Sequence, residues 1–136
     1  MRTDAIEAAF RATTYRVETI EGVFDLRIGE LNSGFDDFLR KQGVSCWGLL
    51  TACNPGGVRC DAENPLRQTR LRERLQALGW PCLTACNLAD DGLWPAEPGC
   101  LLLQVSEKEV CNLAAELFQL ACVCGNIGAA PRLVWI

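Results

Sequence analysis

The chain has 136 residues, nine cysteines, no histidine and a net charge of −4. Its length predicts one compact domain, 1–136, and a hydrophobic share of 49% is enough for a buried core. The lack of histidine excludes catalytic designs with an imidazole base and every His-ligated metal site. The acidic balance disfavours nucleic acid as a partner, and no apolar run approaches the ~20 residues of a membrane span.

The cysteines point to a reducing compartment. They make up just under the ~8–10% typical of a disulfide scaffold. The opening MRTDAIEAAF is acidic where a signal peptide is basic and apolar, so we expect a cytoplasmic protein with free thiols. Most cysteines lie in apolar stretches such as ACVC and lack paired CxxC spacing, which predicts small buried hydrophobes.

Hydrophobic periodicity, capping residues and glycine stops predict elements in the order α-β-β-α-β-α-β-β-α-β-β. The cap signals include Asp4 with Glu7, Asn32 or Ser33, Ser106 with Glu109, and Asn64 before a proline. The predicted elements span about residues 5–11, 14–20, 23–28, 33–42, 44–53, 65–78, 80–87, 100–105, 107–118, 121–124 and 132–136.

This order predicts an α+β fold, with a mixed sheet of about five to seven strands and helices packed against it. The segment 44–53 is continuously apolar, which is typical of a central strand covered on both faces. The segments 14–20 and 23–28 alternate with period two around Glu21-Gly22, which predicts a hairpin with one buried face.

A short internal repeat is the most informative local feature: Thr-Ala-Cys-Asn occurs at 51–54 and again at 84–87, each time at the end of a predicted strand. If the two strands are parallel neighbours, both repeats end at one edge of the sheet. Ligands bind at such edges, and helix N-termini there favour anions. The alternative to a binding site is that 54–57 forms an ordinary turn and that the repeat arises by chance.

At this edge we expect a cleft that binds a polar or anionic small molecule, with a nucleotide-like ligand as one option. The polar repeats, the glycine-rich turn and the loop over 88–99 supply its walls. The candidate ligand-binding residues are Thr51, Asn54, Gly56, Asn64, Asn87 and Trp94.

Two charged residues are the catalytic candidates if the protein is an enzyme, a question the sequence leaves open. Glu97 is the candidate general acid or base for a hydrolysis or group transfer. Arg67 lies at the loop end of an apolar helix face, where it could clamp a carboxylate or phosphate or pair with Asp90, Asp91 or Glu97. The Asp-Asp-Gly sequence itself is more typical of a turn than of a Mg²⁺ site.

Cys53 and Cys86, the third residues of the two repeats, are alternative nucleophiles if their thiols ionise. Two further classes of function also stay open. One is an interaction module or homo-oligomeric subunit without chemistry, and the other is a Cys-ligated metal protein. No cofactor and no ligand identity follow from the sequence.

Several segments, in their order along the chain, resemble a known family. They are TYRV at 14–17, LRIGELN at 26–32, LLTACNPGG at 49–57, Asn64 with Arg67, WPAEP at 94–98, and Gln119 before Ala121. Together they resemble a bacterial family of about this size that is described only as a domain of unknown function and marked by Thr-Ala-x-Asn-Pro. The family pattern has Gly-Gln where this chain has Phe118-Gln119. The resemblance implies a compact bacterial domain and no particular activity or cofactor.

Overall fold

A computed structural model describes residues 3–136, which form four α-helices and one seven-stranded β-sheet. The order of helices and strands is the predicted one, and the α+β class is confirmed. The elements are α1 (Asp4–Arg11), β1 (Thr13–Thr19), β2 (Gly22–Leu26), α2 (Ser33–Lys41), β3 (Cys46–Leu50), a 3₁₀ turn (Pro55–Gly57), α3 (Asn64–Leu78), β4 (Cys82–Ala89), β5 (Glu97–Leu103), α4 (Glu107–Glu116), β6 (Ala121–Asn126) and β7 (Arg132–Trp135). Among these residues, no helix has the length and apolar character needed to cross a bilayer.

The strands lie in the order β2-β1-β4-β5-β3-β6-β7. Every neighbouring pair is antiparallel, so the sheet is antiparallel and not mixed. β3 and β4 both pair with β5 and therefore run in the same direction, as expected. They are not neighbours, however, because β5 separates them. The register places Leu50 and Thr84 opposite the same residue, Cys100, so the two repeats lie at nearly the same height on the sheet.

Both faces of the sheet are buried against helices. On one face, Phe35 of α2 packs in a cluster that includes Leu49. On the other face, Leu71 of α3 and Val110 of α4 pack in a cluster that includes Leu50. The consecutive residues of β3 thus point to opposite clusters, as the period of two in a strand requires. This explains why 44–53 is apolar without alternation.

The helix starts are partly as predicted. Asn32 and Ser106 are the N-caps of α2 and α4, each accepting a hydrogen bond from an amide three residues on. Thr3, and not Asp4, caps α1. Asn64 was expected to cap α3, but it is the first residue inside that helix. Its side chain is used elsewhere, in the site described next.

Candidate functional site

An open cavity of about 600 Å³ lies between α1 and one face of the sheet. Its polar wall brings together six of the eight residues proposed from the sequence, and Asn64 and Arg67 are not part of the lining. The six are Thr51, Asn54, Gly56, Asn87, Trp94 and Glu97.

The strand ends explain why these residues meet. Thr51 and Asn54 follow β3 directly, and β4 delivers Asn87 to the same end of the sheet. Glu97 was expected in a loop, but it is the first residue of β5 and pairs with Asn87 across the two strands. Paired residues of neighbouring strands point to the same face, which places Asn87 and Glu97 side by side on the cavity wall.

Asn54 is the centre of a hydrogen-bond network behind this wall. It is 5% exposed and has a left-handed backbone (φ 51°), a conformation that asparagine tolerates better than most residues. Its Oδ1 accepts from the amide of Cys60 and from Asn64 Nδ2, both at 2.9 Å. Its Nδ2 donates to Glu97 Oε2, and its own amide donates to Asn64 Oδ1 at 3.0 Å. The side chain of Asn54 is therefore locked in one orientation.

The Glu97 carboxylate is held from one side only. Its Oε2 accepts from Asn54 Nδ2 and from Trp94 Nε1, the latter at 2.9 Å. Its Oε1 accepts none of the hydrogen bonds found among residues 3–136. A carboxylate has about four acceptor positions, so Glu97 keeps the capacity to bind a donor or to exchange a proton in the cavity.

Asn87 also has unused capacity. Its Oδ1 is buried and has no hydrogen-bond partner among the described residues. It lies opposite Tyr15 on one neighbouring strand and opposite Glu97 on the other. Burial raises the pKa of Tyr15, so this phenol stays neutral. A buried acceptor without a partner is unfavourable, and a ligand donor at this position would relieve it.

Thr51, a candidate ligand-binding residue, uses its hydroxyl for hydrogen bonds within the fold. Its Oγ1 donates to the carbonyl of Pro98 at 2.7 Å and accepts from the amide of Cys53 at 3.0 Å. The close approach of β5 to the end of β3 requires glycine at position 99, because a Cβ there would lie 2.7 Å from the Leu50 carbonyl oxygen. The hydroxyl of Thr51 thus fastens the end of β3 to β5.

Arg67 is not brought to the carboxylates that it was expected to meet. It is half-buried, and its Nε has no partner among the described residues. Asp90 pairs instead with Arg27 at 2.7 Å, and this guanidinium lowers the pKa of the Asp90 carboxyl. Asp91 accepts a hydrogen bond from the amide of Leu93 at 2.9 Å, as a turn residue does.

The surroundings of the two repeat thiols favour their protonated form. Burial raises the pKa of both Cys53 and Cys86, which favours the protonated thiol and argues against a nucleophilic thiolate. The nine cysteines are all free. Within residues 3–136, no group of three or more Cys, Asp or Glu side chains is placed to hold a metal ion.

Sequence reasoning missed the helical wall of the cavity. Ala5, Ile6, Ala9 and Ala12 of the α1 segment line it. The segment 5–11 was predicted only as a short helix, from the cap signal of Asp4 with Glu7. The available signal was the small size of three of these residues, because alanines on an apolar helix face leave space above a sheet instead of filling it.

Phe118-Gln119 was also given no place in the predicted site, yet Gln119 lines the cavity. Gln119 Nε2 donates to the carbonyl of Cys53 at 3.0 Å, and the amide of Gly56 donates to the carbonyl of Phe118 at 2.7 Å. Phe118 has a left-handed backbone (φ 56°) and a side chain that is 74% exposed. Glycine would adopt this conformation without strain.

A known protein family matches this chain. The model of a family described as "Protein of unknown function (DUF3293)" matches residues 50–122, which is more than half of the chain. The matched range contains all six residues of the polar wall, and also Gln119, but leaves out α1. No curated protein and no solved structure matches the chain.

Proposed function

This chain belongs to the DUF3293 family of proteins of unknown function, and from that premise we propose that it binds a polar small molecule in the cavity. The observation that carries the proposal is the Glu97 carboxylate, fixed by Asn54 and Trp94 with one oxygen left free at the cavity wall. Sites for small molecules combine an apolar enclosure with a few fixed polar groups in this way.

The enclosure itself supports the proposal. A volume of about 600 Å³ lies within the ~300–1,000 Å³ range of ligand pockets. The helical wall of alanines and Ile6 is apolar, and so are Leu49 and Val123 on the sheet. A ligand with an apolar body and a polar head fits this division between the two walls.

The charges of the lining favour one of the two ligand chemistries expected from the sequence. Within residues 3–136, the charged residues of the lining are Asp91 and Glu97, and this part of the chain contributes neither arginine nor lysine to it. An anion would meet carboxylates without a compensating cation, which costs free energy in a partly buried site. We therefore retain the polar ligand and give up the anionic, phosphate-bearing one.

An enzymatic version of the proposal depends on Glu97 alone. Its free oxygen is available as a general base or, when protonated, as a general acid. Arg67 does not line the cavity and is not retained as its partner. Four points stay predictions from the sequence. They are the alternative of an interaction module, the alternative of a metal protein, the cytoplasmic location and the extent of the domain.

The test is to fill the cavity from its helical wall. N-phenyl-1-naphthylamine, a neutral dye that fluoresces in apolar sites, should bind the unmodified protein with 1:1 stoichiometry. Ala9→Trp places an indole in the cavity and should abolish dye binding. Ala8→Trp is the matched control, because Ala8 lies on the same helix and is exposed like Ala9 but is not in the lining.

The outcome is read from dye titrations together with the thermal midpoint of each variant. Dye binding that Ala9→Trp abolishes and Ala8→Trp preserves supports the proposal. No binding by the unmodified protein, or equal binding by the two variants, contradicts it. Circular dichroism shows whether both variants keep the fold.

A further inference from the structure

The cavity combines two unused acceptors at one position of its wall. Asn87 and Glu97 are directly paired across β4 and β5, so their Cβ atoms are about 4.5–5.5 Å apart. Asn87 Oδ1 is buried without a partner, and Glu97 Oε1 accepts no hydrogen bond among residues 3–136. A single ligand atom with several N–H donors can reach both.

The charges around this position have one sign. In the described part of the chain, residues 3–136, the charged members of the lining are Glu97 and Asp91, and both are acidic. Arg27, a cation of the adjoining strand end, is already paired with Asp90, and Arg16 is paired with Asp25 at 2.9 Å. The two carboxylates of the lining therefore favour a cation over an anion at the two free acceptors.

Aromatic residues complete the setting. Phe10, Tyr15 and Trp94 all line the cavity. The indole N–H of Trp94 is bonded to Glu97, which fixes the ring beside the carboxylate. Aromatic rings attract ammonium groups through their electron-rich faces, and protein sites for amines combine such rings with a carboxylate.

We propose that the ligand is an organic cation, with a protonated amine bound between Glu97 and Asn87 and an apolar body lying under α1. This inference rests on the function proposed above and names the chemical class of its ligand. An ammonium group supplies three N–H donors, which suffice for Glu97 Oε1 and Asn87 Oδ1 together. The charge of Glu97 compensates that of the ammonium group.

The experiment compares three ligands of one shape by isothermal titration calorimetry. They are 2-(1-naphthyl)ethylamine, the neutral 2-(1-naphthyl)ethanol and the anionic 1-naphthaleneacetate. The amine should bind at least tenfold more tightly than the alcohol, and the carboxylate more weakly than both. Glu97→Gln keeps an acceptor for Asn54 and Trp94 but removes the charge, so it should erase the advantage of the amine over the alcohol.

Matched variants separate a local effect from a general one. Glu18→Gln removes the same charge at an exposed position outside the lining and should leave the advantage of the amine intact. Asn87→Ala removes the second acceptor and should weaken amine binding several-fold, which keeps the proposal testable if Glu97→Gln does not fold.

The outcomes divide clearly. If the carboxylate binds as well as the amine, or the advantage survives in both Glu97→Gln and Asn87→Ala, the cation is the wrong class. The small-molecule function would then still stand on dye binding. If the dye also fails to bind, the proposed function falls and this inference falls with it.

Discussion

The two copies of Thr-Ala-Cys-Asn have the same sequence and opposite surroundings. In the first copy, all four residues from Thr51 to Asn54 are buried, and the asparagine has a left-handed backbone. In the second copy, Thr84 is exposed, and Asn87 continues an extended strand with an unpaired side-chain oxygen. The first copy ends a central strand and turns, whereas the second lies inside a strand. The polar side chains of the first copy therefore stabilise the end of β3 through hydrogen bonds, whereas Asn87 of the second copy keeps an unpaired oxygen at the cavity.

The largest difference is expected at the two asparagines. Asn54→Ala removes three side-chain hydrogen bonds of a buried network and should lower the free energy of unfolding by about 2–4 kcal/mol. Asn87→Ala breaks no hydrogen bond of the described residues and should change it by less than about 0.5 kcal/mol. Urea denaturation measures both. Equal losses would mean that the two copies are energetically alike.

The two threonines should differ in the same direction but by less. Thr51→Val removes the hydroxyl that bonds the Pro98 carbonyl and the Cys53 amide, so we expect a loss of about 1–3 kcal/mol. Thr84→Val replaces an exposed strand residue and should fall within about 0.5 kcal/mol of the unmodified protein. Thermal unfolding of the pair checks this. A loss at Thr84 as large as that at Thr51 would contradict the distinction.

A smaller effect, of opposite sign, is expected beside the first copy. Phe118 holds Gly56 through its carbonyl while its own backbone is left-handed. Phe118→Gly relieves that strain and should raise the free energy of unfolding by about 0.5–1 kcal/mol, after the extra flexibility of the unfolded chain is counted. Phe118→Ala is the control, since it removes the ring but keeps the strain. A gain in both variants would trace the effect to the ring instead.

The two cysteines should differ least. Burial raises the pKa of both thiols, so iodoacetamide should label both slowly at pH 8, with the 2% exposed Cys53 slower than the half-buried Cys86. Their contribution to stability is full below the ordinary thiol pKa of about 8.5 and is lost as the pH rises through the raised values. Timed labelling followed by peptide mass spectrometry measures the rates, with the exposed Cys82 as reference. Rapid labelling of Cys53 in the folded protein would refute its burial.

The sequence by itself determined the elements and their order. The signals that specified them are local, because each involves residues only a few positions apart. They include the period-two alternation in 14–20 and 23–28 and the side-chain caps at Asn32 and Ser106. The same local signals placed Thr51, Asn54 and Asn87 near the ends of strands, and these residues line the cavity. Asn64, read as a cap, shows the limit of such signals: its side chain bonds Asn54, ten residues away.

Only the tertiary structure decided which residues meet. The placement of β5 between β3 and β4 is a pairing between distant segments, and no local period encodes it. That pairing sets Glu97 opposite Asn87, while the packing of α3 leaves Arg67 out of the cavity lining. The space under α1 arises because small alanines face a sheet that other helices cover elsewhere. The cavity is enclosed by segments that are far apart in the sequence, so it exists only once these segments have packed together.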